Sequence, residues 1–309
     1  MANNFGSSSN PVFNSGAMPD QFNADKRRRF YVDSSAGTVR EDSRQQQTYA
    51  QQHGVPQAEQ LEQQYKMPAH AGSQGTPMTY DDVIRKTVTS LAFVLIGAGL
   101  TVTLAGLAPG EGLNVGLGLT LTLLGLLGGL VLGLVNAFKR DPNPALILAY
   151  SGLQGLFLGG ITSVLNWQFE GIAVQAVLAT VAVFVSVLVL FKSGKVRATP
   201  KLNKMFFVAL LGYAIFSLFN LGLMLFGVTN SMFGLRTEFS PWIGIAIGLF
   251  ALALATYSLV LDFTNIQEAV EAGVEQKFGW AAAFGLTVSL VWLYIEILRI
   301  IAIVRSMAD

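Results

Sequence analysis

The 309-residue chain predicts an all-α polytopic membrane protein with seven transmembrane helices behind a disordered polar N-terminal tail. Three observations point there. Hydrophobic residues make up 52% of the chain and charged residues 13%, about half the charged share of an average soluble domain, with a mean hydropathy of +0.49. The polar residues crowd into the first quarter. The remainder divides into apolar runs of about 20 residues, the length a helix needs to cross the hydrocarbon core at about 1.5 Å rise per residue.

The tail, residues 1–78, is rich in Gln, Asn, Ser, Gly and Ala, as in NNFGSSSNPVFNSG and DSRQQQTYAQQHG. It has no sustained apolar periodicity with which to offset an ordering entropy of about 1–2 kcal/mol per residue. KRRRF, at 26–30, is followed by no apolar h-region and is not a secretory signal. His53 and His70 lie in this tail and the chain has no cysteine, which argues against structural zinc, thiol chemistry or a catalytic histidine within the spans.

The second region, residues 79–309, yields candidate spans at 87–107, 113–138, 144–165, 171–191, 205–228, 242–261 and 279–304. Turn-forming or charged breaks separate them: APGEG, KRDPNP, NWQFE, KSGKVRATPKLNK and RTEFSP. Lys and Arg set the orientation. Arg85 and Lys86 precede the first span, Lys139 and Arg140 follow the second, and five lysines or arginines fall between 192 and 204. The alternate loops carry Arg236 as their single basic residue. The positive-inside rule then puts the N-terminus in the cytoplasm; the membrane expected for the chain is the plasma (inner) membrane. Gly125, Gly129 and Gly133 in the second span, and Gly155 and Gly159 in the third, have the four-residue spacing that lets helix backbones approach closely in lipid.

Two carboxylates stand out. Glu296 lies within the last span in WLYIEILRI, and Asp262 closes the sixth in YSLVLDFTNIQ. An unpaired carboxylate at the bilayer centre costs roughly 2.5–3.5 kcal/mol on insertion scales, so each requires compensation or a use. On one reading Glu296 pairs locally with Arg299, three residues on, and Asp262 sits at the water interface. On the other, both face a polar path inside the bundle. Gln154 is the most path-like of the remaining polar side chains in the spans, although interhelical hydrogen bonding is the commoner role of such residues. Glu268, Glu271 and Glu275 have the spacing of a solvated acidic helix face.

WLYIEILRI after WAAAFGLTVSLV, LVLDFTNI in the sixth span, and YSGLQGLFLGGITS after NPA in the third together resemble the Bax inhibitor-1 (transmembrane Bax inhibitor motif) family, in particular its bacterial branch with an extended polar N-terminal tail. The resemblance covers about residues 79–309. It implies that the last helix is central with the other six around it. It also implies a pH-sensitive cation leak, with Ca²⁺ as the permeant ion, gated by a hydrogen-bonded carboxylate pair at the positions of Asp262 and Glu296, with Arg299 and Gln154 supporting. Two adjacent carboxylates do not both ionise cheaply and titrate as a unit, and Ca²⁺ favours oxygen ligands. The alternative is a non-transporting membrane protein that binds a membrane protease or another membrane protein. No catalytic motif, cofactor fingerprint or nucleic-acid signature is found in the sequence, and the expected partner common to both readings is the lipid bilayer.

Overall fold

A computed structural model describes residues 75–104, 114–229, 231 and 233–308. Residues 1–74, which hold most of the expected tail, and the APGEG loop lie outside the described residues. Among the described residues, seven helices are long and apolar enough to cross a membrane. In chain order the helices are α1 (Tyr80–Leu104), α2 (Val115–Phe138), α3 (Pro144–Gln168), α4 (Ile172–Lys192), α5 (Pro200–Leu225), the one-turn α6 (Leu235–Glu238), α7 (Pro241–Glu271) and α8 (Gly279–Arg305).

Helix starts follow local chemistry. Pro144, Pro200 and Pro241 occupy the first turns of α3, α5 and α7, where a missing N–H removes nothing from the helix. Asn143 accepts from Ala145 N at 3.0 Å and Thr199 accepts from Leu202 N at 3.4 Å. Several helices outrun the apolar windows that announce them. α1 begins seven residues before the window at 87, and α7 continues ten residues past 261 to Glu271. Charged and polar residues there end the hydropathy signal without ending the backbone hydrogen bonding.

One end of the bundle, where α1 and α8 begin, is closed by a polar clasp. Met78 N donates to Val274 O at 2.7 Å and Gln276 N to Thr76 O at 2.8 Å. Lys86 Nζ donates to Asp82 Oδ2 and to Gln276 O, each at 2.6 Å. Met78 itself is 2% exposed. Residues 75–78, on the tail side of the boundary expected after residue 78, thus contact the bundle through Thr76 and Met78. The polar look of GTPM hid it, because its share of the clasp is backbone bonds, the Thr76 hydroxyl on Gln276 Oε1 at 2.6 Å and one buried thioether.

Glycine positions set the tightest contacts. A methyl group on Gly125 would lie 2.5 Å from Leu153 O, and one on Gly159 would lie 2.6 Å from Ala98 O; one on Gly155 would overlap the Val94 carbonyl oxygen. α2 packs on α3 through the first glycine, and α3 on α1 through the other two, as the spacing predicts. α8 is the central helix: half of its most apolar stretch is buried, against 11% for α2 and for α5. Its extensive contacts are with α1, α3, α4 and α7, whereas α5 packs chiefly on α7 and α2 chiefly on α3. Four helices therefore surround α8 closely. On the side of α5 the enclosure is open.

Candidate functional site

Two polar sites lie along α8, and the two candidate carboxylates occupy one each. Asp262, on α7, accepts from Ser289 Oγ of α8 through Oδ2 at 2.5 Å. Ser289 Oγ in turn lies 2.7 Å from Ser258 Oγ. With the Ser289 proton directed at the carboxylate, Ser258 is the donor of that second bond. Gly285 opens the space beside the acid: a methyl group there would stand 3.0 Å from Asp262 Oδ1. Among the described residues no lysine or arginine forms an ion pair with Asp262. Its compensation is hydroxyl hydrogen bonding.

Glu296 is the opposite case. Only 1% exposed, it receives Arg299 Nη1 at 2.6 Å, Trp292 Nε1 at 3.3 Å and the Tyr213 hydroxyl, and Arg236 Nη1 stands 3.8 Å from Oε2. Arg236 Nη2 donates to Tyr213 Oη at 2.7 Å and to Ser217 Oγ at 3.1 Å, with its guanidinium over the Tyr213 ring at 5.1 Å. Tyr213 and Trp292 stack with centroids 6.0 Å apart. Two guanidiniums therefore serve one carboxylate.

The position of Arg236 is set by α5. Asn220 Oδ1 accepts from Leu235 N at 2.7 Å, and Asn220 Nδ2 donates to Phe233 O at 3.3 Å. Between them Gly234 takes φ +64°, a left-handed conformation, against the Asn220 side chain. Asn220 thereby holds the one-turn α6 so that its arginine, 4% exposed, turns inward instead of into water.

The expected carboxylate pair does not form. Ser289, which holds Asp262, and Glu296 are seven residues apart on α8, about 10 Å along its axis, and each acid is satisfied by different partners. The physical reason is the length of α7: by continuing to Glu271 it brings Asp262 beside the first half of α8, while Glu296 belongs to the second half. Glu296, assigned with Asp262 to the cation path, has its carboxylate beside two arginines, Arg299 and Arg236. The local Glu296–Arg299 pair is present. Gln154 packs its amide against Gly129, in the α2–α3 contact. Sequence reasoning missed Ser289 and the inward placement of Arg236, whereas Ser258 is one of the polar span residues for which interhelical hydrogen bonding is the commoner role. For Arg236 a signal existed, since it is the one basic residue interrupting the charge asymmetry of the loops.

Tyr213, Ser217, Arg236, Trp292, Glu296 and Arg299 sit in the wall of a cavity of about 940 Å³ otherwise lined largely by apolar side chains of α2, α3 and α5. A seven-span bundle with a hydroxyl-held carboxylate in one half and a charge cluster in the other defines a polytopic membrane protein with polar groups inside its spans. The chain matches the model of the Bax inhibitor 1 like family over residues 10–306 and belongs to that family. The match starts well inside the tail, beyond the stretch that carried the resemblance. No curated protein matches the chain.

Proposed function

We propose that the protein is a proton-sensitive cation leak of the plasma membrane, with its N-terminus in the cytoplasm, in which Asp262 is the ion-facing carboxylate. The observation that carries this reading is the contrast between the two acids. Glu296 is matched by arginines and is explained by structure alone, whereas Asp262 lies in a spanning helix with no basic partner among the described residues. Ionisable groups so placed face a bundle interior or a water path and are usually functional. Ionised, Asp262 with the oxygens of Ser289 and Ser258 offers a hard cation the ligands it prefers, which favours Ca²⁺. Protonated, it offers no charge, and flux falls as pH falls. Gating by a shared proton between Asp262 and Glu296 is replaced by titration of Asp262 alone.

The test is flux through the full chain in liposomes, measured for Ca²⁺ and K⁺ across a range of pH. Asp262→Asn removes the charge and the titration together, so flux becomes low and insensitive to pH. Retention of wild-type, pH-dependent flux in that variant would exclude Asp262 as the sensor. A wild-type protein that passes no cation at any pH would end the leak reading and leave partner binding in its place.

A further inference from the structure

The geometry points to a second site: we infer that the cavity between α2, α3, α5 and α8 binds the headgroup of an anionic phospholipid, with the phosphate over Arg236 and the acyl chains leaving between α2 and α5 into the bilayer. This inference stands independently of the cation leak.

Charge comes first. With Arg236, Arg299 and Glu296 in its wall, the cavity holds one net positive charge. Arg236 is 4% exposed, yet its Nη1 has no hydrogen-bond partner and reaches Glu296 only as an ion pair at 3.8 Å. A buried guanidinium N–H without an acceptor forfeits a contact that is roughly twice as strong as a neutral one when the acceptor is an anion. Arginine forks match phosphate oxygens in shape as well as in charge. The unmet donor lies in the wall of a space large enough to admit a headgroup.

The source of the anion follows from where the cavity opens. Its far walls are apolar, formed by Leu119 of α2, Val164 of α3 and Leu221 and Met224 of α5, each of them exposed. α2 and α5 make no extensive contact with each other, so the gap between them faces the surface that the spans present to hydrocarbon. A free phosphate would leave those apolar walls wet. A phospholipid fills both parts, placing charge at the arginine and chains along the leucines.

Titration of the full-length, detergent-solubilised protein with dioctanoyl phosphatidylglycerol tests this, read through tryptophan fluorescence because Trp167 and Trp292 line the cavity. The probe should bind roughly tenfold tighter than dioctanoyl phosphatidylcholine, whose phosphate is equally anionic but whose choline ammonium would add a cation to a cavity that already carries net positive charge; about 1.4 kcal/mol of that repulsion supplies the factor. Millimolar inorganic phosphate should not displace it. Arg236→Gln should abolish the preference for the anionic lipid. Because that change also touches Glu296, Val164→Trp provides a check that leaves the charges in place: it narrows the acyl route from an exposed position and should weaken phosphatidylglycerol binding while the thermal melt is unchanged. Equal affinity for the two lipids in the wild type would overturn the inference, as would displacement by free phosphate. A preference that survives Arg236→Gln, or phosphatidylglycerol binding unaffected by Val164→Trp, would also overturn it.

Discussion

Replacing Glu296 by glutamine separates the charge of that residue from its shape. The amide keeps an oxygen for Tyr213 and Trp292, but Arg236 and Arg299 lose their common counter-charge. Arg299 is the less enclosed of the two, with 21% of its side chain exposed against 4% for Arg236. Unit charges about 4 Å apart attract by about 4 kcal/mol at an effective dielectric of 20, and Arg236 stands 3.8 Å from the carboxylate. Breaking a buried pair from one side costs about 3–5 kcal/mol, since the remaining charge stays desolvated. At about 2–4 °C per kcal/mol for a domain of this size, the melting temperature should fall on the order of 10 °C. Melting of the detergent-solubilised protein, followed by size-exclusion chromatography after heating, measures it. The double variant Glu296→Gln/Arg236→Gln should recover part of the loss, with a coupling of about 1–3 kcal/mol as expected for residues in one network. If Glu296→Gln melts with the wild type, or if the double variant is additive, Glu296 is not the counter-charge of Arg236 and the argument fails.

Other consequences are as specific. Glu296→Gln should leave the pH dependence of cation flux intact in whatever protein remains folded, in contrast to Asp262→Asn; parallel liposome measurements on the two variants decide this. Gly155→Val should prevent α1 from seating on α3, because the added carbon meets the Val94 carbonyl, and the variant should give little monodisperse protein on size exclusion. Truncation before Gly75 should leave the melt unchanged, whereas truncation before Thr79 should lower stability by about 1.5–3 kcal/mol through the loss of buried Met78 alone. Asn220→Ala frees α6 and should lower the melt and weaken phosphatidylglycerol selectivity together, because the same side chain fixes the backbone that carries Arg236.

Much of the architecture was legible in the chain because membrane folds write their constraints locally. Each span must satisfy its own backbone hydrogen bonds, so length and hydropathy reveal it. Gly125, Gly155 and Gly159 reveal which faces approach closely, since only a missing side chain allows it. Glu296 and Arg299, three residues apart on one helix, announce their pairing for the same local reason. What those rules do not reach is depth and partnership between distant elements. The apolar window of the sixth span ends at Leu261, but its helix runs on to Glu271, and that extension decides that Asp262 meets Ser289 and not Glu296. Arg236 reads in sequence as a loop residue, and only the clamp of Asn220 on the one-turn α6 carries it into the bundle, where Glu296 compensates a charge that would otherwise be buried without an anion. Whether a charged side chain in a membrane protein is paired or exposed depends on a neighbour supplied by another helix, and that neighbour is fixed by tertiary packing.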